Sequence, residues 1–360
     1  MPGGEPERDK PASACGPRAG GQEWPVADPG RILQREPLVS TPGQILFLSA
    51  ETLAGLDITT AEVIEAIEAM FHGRARGTVR SAPKAVIQPP DGRYMMATLA
   101  AADDPPLLAV KTVVLNARNS EKGLPQINGL IVMLDSDTGL PVTVMDGNWV
   151  TAVRTAGLSA VAAKSMARPD SATVGFIGCG VQARSHLAAF ASMFPLTGIR
   201  AFGRGQPNID ALCKSAADLG LSAKVCASGE EAVAGADLVV SSVTLSPRPE
   251  PFLDAGCLKP GCFATLTDTA APWTQDSLSA FDRIAIDDLE QEAAMPDKLV
   301  DPGLVTGDLA GLILGKFAGR GGDEERCAFI FRAHALGDLA LSALAYRKAV
   351  EGGRGTTVSA

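Results

Sequence analysis

The chain has 360 residues, 46% of them hydrophobic and 20% charged, and carries a formal net charge of −9 at pH 7. That length accommodates two domains, each with its own core, and the acidic balance excludes a surface built for nucleic acid or an anionic membrane. Seven cysteines without a CxxC pair point to reduced thiols in a cytoplasmic protein, and three histidines leave a histidine zinc site little to build from, so no metal is expected.

Residues 1–30 combine proline, glycine and charge without the apolar centre of a signal peptide, which predicts a disordered lead-in, with order starting near Arg31. Gln44–Leu48 reads as a strand. Thr59-Thr60-Ala61-Glu62 has capping-box spacing ahead of a helix whose apolar face is Val63, Ile64, Ile67, Met70 and Phe71, with Gly73 as its stop. Strands follow at Lys84–Gln88, Tyr94–Leu99 and Leu107–Leu115, and Gly129–Leu134 pairs with Pro141–Met145 as a hairpin. These elements predict a β-rich α+β module over residues 31–155 for substrate binding and dimerisation. Asp146 or Asn148 caps a helix from about Trp149 to Met166 that joins this module to the next. No apolar stretch approaches the roughly 20 residues that span a bilayer.

From Ala172 strands and helices alternate, with strands at Thr173–Ile177, Ile199–Phe202, Ala223–Cys226, Leu238–Ser242, Phe263–Leu266 and Arg283–Ile286. Alternation of this kind predicts an α/β, Rossmann-type doubly wound parallel sheet over residues 156–315. The tail from Cys327, a strand-like run and a long helix, is not needed to finish that sheet. It is expected to pack back on the first module, which residues 316–352 would complete.

The first of these strands runs into Gly178-Cys179-Gly180-Val181-Gln182-Ala183, a GxGxxA turn that opens a helix. The order suits a dinucleotide pyrophosphate: Gly178 for the tight turn, Gly180 for close approach of backbone N–H groups, Ala183 for close helix packing. Cys179 reads as a small space-filling residue, and His186 as a packed helix residue rather than a catalyst. At the end of the second strand of this module Gly203 stands where an acid would bind a ribose 2′-hydroxyl, and Arg204 follows, which favours NADP(H) over NAD(H). Ser242 and Thr244, closing a later strand, fall beside the ribose or nicotinamide by fold position. Upstream, Lys111 sits in the apolar run LLAVKTVVL, so it is either buried with an anionic partner, protein or ligand, or on an edge strand facing water. Arg154 lies among small residues of the linking helix with Thr151 and Thr155 beside it, a setting suited to bidentate carboxylate binding. Lys84 and Arg80 would ordinarily be solvated loop charges.

These words resemble the ornithine cyclodeaminase/mu-crystallin family from roughly Lys84 to Lys348: Lys111 with Asn119 and Gly123-Leu124-Pro125, Asp137-Thr138-Gly139-Leu140-Pro141, Trp149-Val150-Thr151-Ala152-Val153-Arg154-Thr155-Ala156, and the glycine turn. The resemblance implies a substrate carboxylate clamp of Lys84, Lys111 and Arg154, with Arg80 as a substitute for Lys84 where the family usually has arginine. It further implies a catalytic role for Lys111 and for Asp268, the acid of the Gly261–Trp273 loop, which serves as proton donor or electrostatic partner unless it only caps the turn. Asp338, on the last helix, matches an acid that the family often carries there. Cofactor contacts would come from Thr155, Gly178, Gly180, Val181, Gln182, Ala183, Arg204, Ser242 and Thr244. The implied activity is NAD(P)H-dependent reduction of a small α-imino acid to an L-amino acid in a homodimer. Alternatives are a cyclodeaminase that recycles NAD and releases ammonia from ornithine or lysine, and a binding protein in the manner of mu-crystallin.

Overall fold

The structure, a computed structural model, describes residues 43–245 and 248–359; the lead-in expected over 1–30, the onset of order near Arg31 and Cys15 lie outside the described residues. Thr59 and Glu62 form the capping box that their spacing predicts: the Thr59 N–H donates to Glu62 Oε2 at 2.8 Å and the Glu62 N–H to Thr59 Oγ1 at 3.3 Å. The helix that they start, α1 (Thr60–Arg76), runs through Gly73 and stops at Gly77, whose φ is +78°. Gly73 is a packing glycine instead of a stop, since a Cβ there would lie 2.5 Å from Val79 Cγ2. Four further long helices are α2 (Gly147–Met166), α3 (Val181–Met193), α4 (Gln206–Asp218) and α5 (Ala335–Glu351). Asp146 caps α2, its Oδ1 accepting from the Trp149 N–H at 2.6 Å. Among the described residues no helix is long and apolar enough to cross a membrane.

The first sheet contains β1 (Gln44–Leu48), β2 (Val79–Ser81), β3 (Ala85–Ile87), β4 (Tyr94–Asp103), β5 (Pro106–Leu115), β6 (Ile127–Asp135) and β7 (Pro141–Asp146). Its long strands β4, β5, β6 and β7 pair antiparallel in succession, β1 joins β7 in parallel, and Thr98 stands opposite Lys111. One face, with Thr98, Ala100, Ala109, Lys111, Ile131 and Met133, is buried, and α5 packs on β4 and β5. The opposite face carries Met95, Leu99 and Leu130 exposed, with Val110 and Val132 half-buried. Apolar side chains on both faces explain why LLAVKTVVL shows no polar alternation.

The second sheet contains β8 (Thr173–Ile177), β9 (Gly198–Phe202), β10 (Ser222–Val225), β11 (Leu238–Ser241), β12 (Phe263–Leu266), β13 (Arg283–Ile286), β14 (Val305–Asp308) and β15 (Cys327–Ile330). Its order is β10-β9-β8-β11-β12-β15-β13-β14, and every pairing is parallel. The chain is thus an α/β molecule with a Rossmann-type doubly wound sheet beside a β-rich α+β module. The tail departs from expectation at β15, which inserts between β12 and β13 and forms the interior of the nucleotide sheet. A four-residue buried run looks the same wherever it pairs, so its neighbours are invisible in the local pattern. After β15, α5 packs against α1, α2, β4 and β5, and the last strand, β16 (Thr356–Ser359), pairs antiparallel with β1.

Candidate active site

The sheet order reverses at β8, which opens a crevice at the strands' carboxyl ends between β8 and β11. The glycine turn lies there. Gly178 holds φ at +89°, and a Cβ on it would stand 2.6 Å from the Ser242 carbonyl oxygen, so only glycine fits. Gly180 begins α3 with no side-chain cap, and the position of a Cβ on it meets nothing within 4 Å. Unpaired first-turn N–H groups facing open space are what a pyrophosphate requires. Ala183 is fully buried, Val181 is exposed, and Gln182 buries an Oε1 that has no hydrogen-bond partner. Ser242 Oγ donates to the Gly178 carbonyl at 3.4 Å, Thr244 is half-buried just beyond, and Thr155 is buried on α2. These residues fit a dinucleotide. Past β9, Arg204 is exposed, and a Cβ on Gly203 would lie 3.1 Å from Cys179 Sγ. Burial pushes the Cys179 thiol up to about 11, so it packs and does not react.

A charge cluster of the other module meets the parallel sheet beyond β15, where Lys84 reaches the Arg332 carbonyl. Lys111 is 1% exposed, and its Nζ donates to Asp338 Oδ1 on α5 at 2.6 Å. Arg154 Nε lies 3.0 Å from the same oxygen without hydrogen-bond alignment, and its Nη1 is buried with no partner. Thr98 Oγ1 donates to Asp338 Oδ2 at 3.1 Å. The helices approach closely because α5 carries glycine at 337, where a Cβ would already stand 3.4 Å from Arg154 Cδ. Burial, then the neighbouring Arg154, pushes the Lys111 ammonium down to about 8 against the pull of Asp338. Burial alone would raise Asp338, but Lys111 and Arg154 outweigh it and hold the carboxyl below its ordinary value. Lys84 is half-buried, donates to the Arg332 carbonyl at 2.8 Å, and is pushed down to about 8 by burial. Asp287, at the end of β13, accepts from the Arg332 N–H at 3.1 Å, and its other oxygen has no partner. Burial raises its carboxyl while His334 and Lys84 pull the other way. Arg80 does not join this group: it sits on β2 with its side chain 63% exposed and pairs with Asp103 at 3.1 Å. Four residues of chain and a change of strand separate it from Lys84, which corrects its candidacy as a clamp residue.

Asp268 follows β12 and is 1% exposed. Its Oδ2 accepts from Ser241 Oγ at 2.6 Å and from the Val243 N–H at 3.0 Å, while its Oδ1 is buried without a partner. Trp273 Nε1 donates to Ser241 Oγ at 3.2 Å and steadies the arrangement. Burial pushes the Asp268 carboxyl up to about 6. Thr269 and Ala270 hold positive φ values of 57° and 56°, strain of a kind that concentrates at functional loops. His186 is fully buried, with Nδ1 2.7 Å from the Gln182 carbonyl and Nε2 2.8 Å from Ser159 Oγ, which also lies 2.8 Å from Thr265 Oγ1. It is the packed helix residue that its surroundings in the sequence suggest.

Four residues at or beside this site escape the sequence reading. Thr98 looks like any strand threonine. Ser159 and Thr265 lie in apolar runs. Asp287 had a signal, an acid just after a buried strand of a parallel sheet, where ligands bind.

The fold is that of known proteins. The chain is 28% identical to the alanine dehydrogenase of Archaeoglobus fulgidus over 327 residues, 88% of this chain and 98% of that protein. Its fold matches the Delta(1)-pyrroline-2-carboxylate reductase of Thermococcus litoralis, solved with NADH and L-proline, with a TM-score of 0.80 and 28% identity, covering 87% of this chain and 100% of that one. It also matches the iminosuccinate reductase of Paracoccus denitrificans, solved with NAD+, with a TM-score of 0.75 and 25% identity over 88% of this chain and 100% of that one. The family model of the ornithine cyclodeaminase/mu-crystallin family matches residues 46–353, and with the glycine turn and the buried cation cluster in place, the chain belongs to that family.

Proposed function

We propose that this protein is an NAD(P)H-dependent reductase of small 2-imino acids that forms an L-amino acid and runs in reverse as an amino-acid dehydrogenase. The observation that carries the reading is Arg154: a buried guanidinium whose Nη1 has no partner, beside the Lys111 ammonium and one residue before Thr155. An unpaired buried donor of this kind is costly unless a ligand meets it, and a planar carboxylate is its natural complement. The neighbouring ammonium fixes the same anion as a point charge.

A bound dinucleotide supplies the hydride, and the protein supplies position and protons. Arg154 and Lys111 hold the substrate carboxylate, with Lys84 as the third cation. The C=N carbon gains a hydride and the nitrogen a proton, so a group holding a proton near neutrality is needed. Asp268 meets this requirement, since its carboxyl is pushed up to about 6 and its Oδ1 has no partner inside the protein. Lys111, pushed down to about 8, is the second group able to give up a proton in this range. Gly178, Gly180, Val181, Gln182 and Ala183 cradle the nucleotide, with Ser242 and Thr244 at its nicotinamide side. Two features support a preference for NADP(H): Cys179 leaves little room for an acid at position 203, and Arg204 is exposed where a 2′-phosphate would lie. The apolar outer face of the first sheet supports assembly as a homodimer, as in the archaeal alanine dehydrogenase dimer solved with NAD.

The clamp is tested by Arg154→Ala. Loss of a buried charge-assisted contact to substrate is expected to raise KM for the imino acid by roughly a hundredfold, about 3 kcal/mol, while the cofactor Kd changes little. Equal loss of both would remove Arg154 from the substrate side.

A further inference from the structure

We propose that Thr98 is a positioning residue that keeps the Arg154 guanidinium open to the substrate. This role rests on the imino-acid reading above, in which Arg154 holds the substrate carboxylate. Asp338 Oδ1 lies 3.0 Å from Arg154 Nε, and both side chains are 3% exposed. A carboxylate so close to a buried guanidinium has a stronger arrangement available: two parallel N–H···O bonds, from Nε and from the adjacent terminal nitrogen. That pair would satisfy both groups inside the protein and leave an incoming carboxylate one terminal nitrogen instead of two. The pair is not made, and Nε and Nη1 of Arg154 have no hydrogen-bond partner. Asp338 Oδ2 accepts instead from Thr98 Oγ1 at 3.1 Å, while Oδ1 accepts from Lys111 Nζ at 2.6 Å. Thr98 and Lys111 are cross-strand partners on β4 and β5, so two adjacent strands grip the two oxygens and set the plane of the carboxylate. Lys111 alone holds one oxygen and leaves the other free to turn to Arg154. A hydroxyl bonded to a charged acceptor is strong enough to oppose that turn. Were Thr98 needed only to satisfy Asp338, Arg154 would serve as well and would lose its own unpaired donors. Leaving those donors unpaired is costly in a buried setting and is offset only when a ligand carboxylate arrives.

The experiment measures kcat, the KM for the imine and the Kd for NADPH on the full chain, using 1-pyrroline-2-carboxylate and the imine of pyruvate with ammonia. Thr98→Val and Thr98→Ala both remove the hydroxyl, one at nearly constant volume and one without crowding Asp338. Each should raise KM by about tenfold and change kcat and the NADPH Kd by less than about twofold. Thr98→Ser keeps the donor and should retain the wild-type KM. Where the valine variant folds poorly, the alanine variant carries the test. Thermal unfolding adds a second readout: removing a hydroxyl that only satisfied Asp338 would lower Tm and leave KM alone. That pattern overturns the proposal, as does a serine variant with the KM of the valine variant. Wild-type turnover of either imine, with KM unchanged in the hydroxyl-free variants, removes the role of Thr98 and leaves the imino-acid reading standing. Turnover of neither imine by the wild type overturns that reading and this proposal with it.

Discussion

Asp268 lies buried with one oxygen saturated by two donors and the other bare, and burial lifts its carboxyl to about 6. The shift has a sign that stability measurements read. Between the unfolded value near 3.9 and the folded value, the native state binds more protons than the unfolded chain. Stability from this group is therefore fully present below about pH 4 and is lost as pH rises through about 6, a cost of up to about 3 kcal/mol. Asp268→Asn resembles the protonated acid, and its amide oxygen keeps the Ser241 and Val243 bonds. The variant should match wild type in Tm at pH 4 and exceed it at pH 8, while imine reduction loses the wild-type decline in kcat/KM above about pH 6. Lower thermal stability of the variant at pH 8 would contradict an acid raised by burial.

At the scale of elements, one hydrogen-bonded chain ties α3, α2 and β12 together in the main core. A backbone carbonyl only accepts, so His186 Nδ1 donates to Gln182 and its Nε2 accepts from Ser159; Ser159 then accepts from Thr265. Burial pushes His186 down to about 4, which keeps it neutral and in that tautomer. The chain links the helix that opens at the glycine turn, the helix that carries Arg154, and the strand that leads to Asp268. Ser159→Ala would leave His186 Nε2 and the Thr265 hydroxyl unpaired, costing about 1–3 kcal/mol. In urea titrations the double variant with His186→Phe should cost less than the two single variants summed. Strict additivity would show that the three side chains act separately. The packing of His186 was legible in the sequence but none of these bonds was, because the three partners lie far apart and Ser159 and Thr265 sit in ordinary apolar runs. The elements themselves were legible wherever the signal is local: the capping box at Thr59, the Asp146 cap, the strands Phe263–Leu266 and Arg283–Ile286, and the turn at Gly178. Lys111 stood out as a charge in an apolar run, but its partner Asp338 lies 227 residues away and only the fold brings it near. Arg80 and Lys84 looked equivalent because a short strand boundary between them leaves no trace in charge or hydropathy.

On the scale of the whole molecule, the proposed site draws its residues from both sheets and the helix that joins them. The glycine turn and Asp268 come from the parallel sheet, Lys84 and Lys111 from the mixed sheet, and α2 carries Arg154 and Thr155 between them. The helix α5 supplies Asp338 to the same place after β15 has completed the interior of the second sheet. The proposed hydride transfer to a clamped imine needs both halves. The most direct test measures nicotinamide absorbance together with amino acid formed, using 1-pyrroline-2-carboxylate or pyruvate with ammonia and either NADPH or NADH. The predicted result is one reduced nucleotide consumed for each amino acid formed, faster with NADPH. Release of ammonia from ornithine with no net change in nucleotide would contradict it.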